Sequence, residues 1–406
     1  MRSVNPPAVY IVDRVLQAPR AKERLDRLMT RVDCEAVSVV SDAELDEIVV
    51  REGWDGSRRL SGRERRGDPA IVFDTYRTGD DAGRRTGVQS RPHFRSGARV
   101  RQRNGVVCQD GWGFNTGRGC LFKCDYCYFE DVLFLNLNLE EYLEHLDRTI
   151  RTTEGPTLWK WDNQTDILCF EPEMGAVKLF VEYFAQFDGH FLMTYSKSDN
   201  VEHMLDLDHG GQTICCWTLN AHTQSVKIER DAASMAERIE AAARCERAGY
   251  RVRFRFSGIC PVHNWQAENR EMLDRLFETV HPDVISLETL SRMSSPQMFD
   301  NVMQPDLFES RFLEAIRRGS EEIAGKIWGP IPDNEREEIY RWFIAEIRAR
   351  NASTPVSLCQ EPLSMWKRLA DVLDVDPAHY PCCCARDSVP GGHPAFGRTA
   401  CGAGER

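Results

Sequence analysis

No uninterrupted apolar run in the 406-residue chain reaches the ~20 residues needed to cross a bilayer, so no membrane span is expected. The opening stretch MRSVNPPAVYIVDRV has too short an apolar core, and is charged too soon, to read as a secretory leader. No segment recurs at the period of a solenoid. Positive charge is also in deficit: 52 Lys and Arg against 63 Asp and Glu leave a formal charge of −11. That balance counts against broad capture of nucleic acid, which depends on neutralising phosphates, although it does not exclude a local basic groove. The remaining expectation is a protein of the cytosol acting on a small molecule.

Cysteine, by contrast, is plentiful. Fifteen cysteines without an export signal point to a reducing compartment and to metal or redox chemistry rather than a disulfide framework. Three of them, Cys120, Cys124 and Cys127, stand in the run Gly119-Cys120-Leu121-Phe122-Lys123-Cys124-Asp125-Tyr126-Cys127-Tyr128. Spaced C-x3-C-x2-C, they can point three thiolates at one centre. Zinc commonly takes four closed ligands, and no histidine lies in this loop. An iron–sulfur cluster held by three cysteines instead keeps one iron open to a further ligand.

Around that loop the chain divides into five stretches: a small α/β region (1–50), a connector (51–104), an alternating strand–helix region (105–295), a mainly helical region with a further strand (296–380) and a cysteine-rich tail (381–406). The first pairs strands at Ala8–Val12 and Ala36–Val40 with helices at Ala21–Val32 and Ser41–Glu52. The connector is rich in arginine (Arg58, Arg59, Arg63, Arg65, Arg66, Arg84, Arg85, Arg91, Arg95, Arg99, Arg101, Arg103), interleaved with acids that blunt its field. It reads as a solvated link, with an anion-binding flap as the sharper alternative. Strands are expected at Asp110–Asn115, Asp166–Phe170, Phe191–Tyr195, Thr213–Leu219, Val252–Phe256 and Val284–Leu287, separated by helices. This order implies βαβ units and an incomplete (β/α)6 barrel of the TIM type, with chemistry at the C-terminal ends of its strands. Beyond it lie a helix at Asn334–Ala349, a strand at Pro355–Cys359 and a helix at Leu363–Val375.

The cysteine spacing resembles the radical SAM signature, and Cys120 to Glu288 resembles the spore photoproduct lyase group of that superfamily. The resemblance rests on Thr165-Asp166-Ile167-Leu168-Cys169, Ser196-Lys197-Ser198-Asp199-Asn200-Val201, Thr218-Leu219-Asn220-Ala221, Glu237-Arg238-Ile239-Glu240-Ala241-Ala242 and Ser257-Gly258-Ile259. It implies a 4Fe–4S cluster on Cys120, Cys124 and Cys127, whose open iron chelates S-adenosylmethionine (SAM). It also implies an electron donor such as flavodoxin or ferredoxin, and in the usual outcome a 5′-deoxyadenosyl radical. Cys169 stands where the group carries a cysteine that donates a hydrogen atom to the product radical. The chain departs from the group just afterwards, at Phe170-Glu171-Pro172-Glu173.

The physical reading of the same residues is a SAM pocket across strand ends. Lys197 or Arg238 would meet the carboxylate, Thr218 and Asn220 the ribose, Ser257 the adenine, and Glu171 or Glu173 the ammonium group. Turn chemistry at Thr218 and Asn220, and a surface ion pair at Arg238, are the plain alternatives. The tail run Cys382-Cys383-Cys384 suits a soft acceptor or an auxiliary cluster. In the former case the tail would fold back over the barrel mouth. Three functions follow: modification of a small molecule, transfer of the aminocarboxypropyl group of SAM to a thiol-bound acceptor such as trivalent arsenic, and DNA lesion repair of the spore photoproduct lyase type.

Overall fold

A computed structural model describes residues 1–54, 67–77, 92–127, 131–292, 304 and 306–396. Arg58, Arg59, Arg63, Arg65, Arg66, Arg84, Arg85, Arg91, Tyr128 and Cys401 lie outside the described residues. The chain opens with strands β1 (Val9–Val12) and β2 (Val37–Val40), and the intervening helix Pro19–Met29 buries Ala21, Leu25 and Leu28. Helix Asp42–Glu52 starts at a capping box, in which Ser41 and Glu44 satisfy each other's backbone N–H, and stops at Gly53 with φ 72°.

The stretch read as a connector is more structured than expected. It supplies β3 (Ala70–Asp74), entirely buried, the short β4 (His93–Arg95) and the helix Gly97–Asn104. Next come β5 (Gly111–Phe114), β6 (Gly117–Arg118), β7 (Lys123–Cys124) and β8 (Val132–Asn136). The order β2-β1-β3-β8-β6 forms a five-stranded sheet, so β8, from beyond the cysteine loop, completes the N-terminal layer.

The larger sheet adds β9 (Thr157–Trp161), β10 (His190–Ser196), β11 (Thr213–Thr218), β13 (Arg251–Ile259), β14 (Ile285–Thr289) and β15 (Val356–Leu358), whereas β12 (Glu229–Arg230) pairs with β7 alone. Its order is β15-β14-β13-β11-β10-β9-β5-β4. From β5 to β15 every pairing is parallel and follows the chain, and β4 caps one edge antiparallel. Sequential parallel strands with helical crossovers make a partial β/α barrel, open between β4 and β15 among the described residues. Helix Met235–Arg247 is typical of its outer layer: a Ser234/Glu237 capping box begins it, and Ile239, Ala242 and Cys245 are buried. No helix among the described residues is long and apolar enough to cross a membrane.

One expected strand is wrong. Ile167–Phe170 is a 3₁₀ turn, and the strand in that place is Thr157–Trp161. Ile167, Leu168, Cys169 and Phe170 are all buried, and a short run that is apolar on every side does not distinguish strand from turn. The expected helix Leu363–Val375 is split into Leu363–Arg368 and Ala370–Leu373.

The tail, as far as it is described to Phe396, does not fold over the mouth. It enters the barrel from the opposite end, where Cys383 and Val389 are buried with Leu158, Phe191, Met193, Ile214, Cys216 and Val284. The Leu158 N–H donates to the Arg386 carbonyl at 2.7 Å, and the Arg386 N–H donates to the Asp110 carbonyl at 2.9 Å. Buried Arg253 donates to the Cys383 and Ser388 carbonyls at 3.1 and 2.6 Å while pairing with Asp283 at 2.8 Å. The tail is therefore the floor of the barrel.

Candidate active site

The cysteine loop leaves β6 through Gly119, whose φ is 90°; a Cβ there would stand 1.9 Å from the Val132 carbonyl oxygen, so only glycine permits this turn. At its far end Cys124 pairs with Glu229 across the β7–β12 ribbon. Cys120, Cys124 and Cys127 all line one cavity of about 470 Å³ at the C-terminal ends of the barrel strands. The Phe122 N–H lies 3.4 Å from Cys120 Sγ, and Lys197 Nζ lies 3.6 Å from Cys124 Sγ. Donors so placed favour thiolates. Burial pushes the Cys124 thiol up to about 11 despite Lys197, so ligation would displace a proton. Among the described residues no group of three or more His, Cys, Asp or Glu is arranged for a single metal ion. The three thiols, spread around a shared cavity, fit a polynuclear cluster, whose irons occupy separate corners.

Behind the loop is a buried charge network. Arg238, fully buried, meets Glu229 at 2.5 Å and donates to the Ala233 and Thr218 carbonyls at 2.7 and 3.1 Å. Glu229 also accepts from Asn220 at 2.7 Å and from Tyr126, and forms an ion pair at 3.3 Å with Lys197, whose ammonium donates to Tyr126 at 2.6 Å. Burial would raise the Glu229 carboxyl, but Arg238 and Lys197 hold it down at about 2. Burial would lower Lys197, yet Cys124 and Glu229 hold it above its ordinary value. Glu229 and Tyr126 escaped the sequence reading, because their importance comes from burial and from partners distant in sequence.

Of the expected SAM contacts, Lys197, Thr218 and Ser257 line the cavity. Thr218 donates to the Tyr195 hydroxyl and Ser257 to Glu288, each at 2.7 Å. Asn220 and Arg238 lie behind the wall: Asn220 is spent on Glu229 and the Ser257 carbonyl, and Arg238 is an internal ion pair rather than a ligand or a surface pair. Neither Glu171 nor Glu173 reaches the cavity. Glu171 is buried and accepts from the backbone N–H groups of Gly175, Ala176 and Val177 at the start of a helix, and Glu173 pairs with Arg31 and the Met1 amine. The carboxylates that do line it are Asp166, which accepts from the Ser196 hydroxyl and the Lys197 N–H, and Glu288. Cys169 is buried in the 3₁₀ turn beside Asp166 and Cys120, outside the cavity lining.

The tail cysteines diverge. Cys383 points into the barrel floor, its thiol 3.3 Å from the Phe254 carbonyl. Cys384 lines the main cavity with Cys108 and Cys359, and Cys382 lies just beneath them.

This strand order, with cysteines on the loop after the first barrel strand, defines the radical SAM fold. The solved structures most informative here are spore photoproduct lyases. A doubly substituted form bound to AdoMet and dinucleoside spore photoproduct superposes with a TM-score of 0.60 over 88% of this chain and 98% of that one, at 16% identity. A complex with dinucleoside spore photoproduct gives 0.58 over the same shares, also at 16% identity. Residues 111–292 match the spore photoproduct lyase family model. The Bacillus subtilis spore photoproduct lyase is 26% identical over 41% of this chain and 51% of its own length, and the Clostridium acetobutylicum protein 24% identical over 43% and 54%. The chain thus spans about half the length of these curated relatives, and its resemblance to the spore photoproduct lyase group holds in both sequence and fold.

Proposed function

We propose that this chain is a radical SAM enzyme that acts on a lesion in nucleic acid. The observation that supports the chemistry is the meeting of Cys120, Cys124 and Cys127 with Lys197, Thr218 and Ser257 on one cavity. When bound, a 4Fe–4S cluster and SAM supply one-electron reductive cleavage of the sulfonium and, through it, hydrogen-atom abstraction. The three cysteines would hold the cluster, with an external donor of the flavodoxin or ferredoxin type supplying the electron. Lys197, fixed by Glu229 and Tyr126, offers a preset cation to a carboxylate. Thr218 and Ser257 offer hydroxyls at neighbouring strand ends, and Asp166 takes over the ammonium-binding role expected of Glu171 or Glu173.

The substrate class follows the relatives, which are solved with dinucleoside spore photoproduct, in preference to the small molecule suggested by net charge. The formal charge of −11 is a sum over the whole chain, whereas Arg95, Lys160, Lys197 and Arg255 line the cavity. The test is anaerobic reconstitution with SAM and dithionite, with and without an oligonucleotide carrying spore photoproduct. 5′-Deoxyadenosine together with lesion loss is expected; 5′-deoxyadenosine with an untouched lesion keeps the chemistry and removes the substrate. A second reading, aminocarboxypropyl transfer to a thiol-held acceptor such as trivalent arsenic, is favoured by one observation: Cys384, Cys359 and Cys108 face the same cavity. Methylthioadenosine as the nucleoside product would select it.

A further inference from the structure

Three cations meet on the floor side of the cavity. Lys160 comes from the end of β9, Arg95 from β4 and Arg255 from the middle of β13. Arg255 pairs with Glu288 and donates to the Tyr195 hydroxyl at 3.3 Å and to Cys359 Sγ at 3.2 Å. Among the described residues Arg95 has no carboxylate; it donates to the Gln109 carbonyl at 3.4 Å, the Cys384 carbonyl at 3.3 Å and Cys384 Sγ at 3.5 Å. Lys160 has less still. Among the described residues its ammonium has neither a hydrogen bond nor a carboxylate at ion-pair distance, and it lies over the face of the Tyr195 ring at 5.5 Å. Burial holds Lys160 below its ordinary value, and Arg95 and Arg255 add to that against the pull of Cys384. Three cations thus share one carboxylate in a secluded space, an arrangement that desolvation penalises unless an anion joins it.

We infer that Lys160, Arg95 and Arg255 form a subsite for an oxyanion of the substrate, and that under the lesion reading this oxyanion is a backbone phosphodiester. The phosphodiester assignment rests on the proposed function; the existence of an oxyanion site does not. Arginine forks and a lysine ammonium are the donors that phosphate oxygens recruit. The Cys384 thiol stands in for the missing charge: a hydrogen bond from Cys382, with Arg95, Lys160 and Arg255 facing it, holds it well below the usual thiol range despite burial. An oxyanion arriving between the cations would take over that role, and the Cys384 thiolate would then take up a proton from solvent.

The test uses the reconstituted protein with SAM present and radiolabelled inorganic phosphate as the probe in equilibrium dialysis. Saturable binding is expected, weakened about tenfold or more in Lys160→Met, the scale of one lost charge-assisted hydrogen bond, and restored in Lys160→Arg. Lys178→Ala, which removes an exposed helix lysine, should leave it unchanged. The dinucleotide TpT should compete with phosphate, and a mixture of free thymidine with SAM should not. In wild-type protein, phosphate should slow alkylation of Cys384 by iodoacetamide, read by peptide mass spectrometry; this readout stands even where a variant fails to fold. Cys127→Ala should lose SAM cleavage yet keep phosphate binding, which separates failure of the subsite from failure of the radical reading. The inference is overturned by absence of saturable binding, by equal affinity in Lys160→Met, by unchanged Cys384 alkylation, or by one-for-one displacement of phosphate by SAM. That last result would assign the cations to the cofactor's own carboxylate.

Discussion

On the cluster-loop wall, buried charges come in matched sets: Glu229 lies between Arg238 and Lys197, with Asn220 and Tyr126 completing its shell. On the floor, a few strands away, Arg95, Lys160 and Arg255 face Glu288 and a cluster of thiols. Both regions are secluded, so both bear the cost of desolvation. The first meets it with the protein's own groups and is set before any ligand arrives. The second meets it only in part, through Glu288 and Cys384, as a site that receives charge must. Matched burial holds a wall in place; unmatched burial marks where something enters.

The comparison can be broken most severely at the wall itself. Cys120→Ala, Cys124→Ala or Cys127→Ala should each abolish the brown chromophore, the bound iron and sulfide, and SAM cleavage together; full iron and sulfide content in the triple variant would sink the assignment. Next in size is removal of the floor. Truncation after Pro381 strips Cys383 and Val389 from the barrel interior, with Val389 alone worth about 1.5–3 kcal/mol of burial. The truncated chain should melt at lower temperature and lose its cluster on mild heating. Normal melting would show that the floor is dispensable.

Glu229→Gln unmatches the wall. Arg238 keeps its burial and loses its carboxylate, which should destabilise the fold by about 3–5 kcal/mol, read from urea denaturation. A loss confined to SAM affinity would instead make Glu229 a ligand-side residue. The smallest effect belongs to a carboxylate with no cation partner among the described residues. Asp162 accepts from the Thr116 N–H and hydroxyl at 2.9 and 2.6 Å, and burial raises it to about 7 from 3.8 despite those bonds. The folded state therefore binds this proton more tightly than the unfolded one. That contribution is complete below about pH 4 and is lost as pH rises through about 7. Asp162→Asn should flatten the fall in urea midpoint between about pH 4 and about pH 7, by at most about 1.4 kcal/mol per pH unit. The positive φ of 43° at this position is tolerable to asparagine.

What the sequence disclosed divides along the same line. That Cys120, Cys124, Cys127, Lys197, Thr218 and Ser257 would meet was legible, because the cysteines form one short motif and the others stand at the ends of apolar strands. Glu171, Glu173, Asn220 and Arg238 were expected on the SAM pocket and lie off the cavity, since which way a side chain turns depends on partners far along the chain; Cys169, placed by resemblance, lies outside the cavity lining. Strand β8 was missed for that reason too: its partner β3 precedes it by some sixty residues, across the whole cysteine loop. The lysine at 160 lay in a strand placed nine residues too late.

That placement of β8 carries a mechanical consequence. The chain leaves the barrel at β5, joins the N-terminal sheet at β6, forms the cysteine loop, and rejoins the N-terminal sheet at β8, while β7 is stitched to β12. The loop is a strap buckled to two plates. Sliding one plate against the other would tug on all three cysteines at once, though hardly any residue of the N-terminal plate touches the cavity. Iron release during gradual denaturation should then keep step with the melting of the N-terminal sheet and not wait for the barrel.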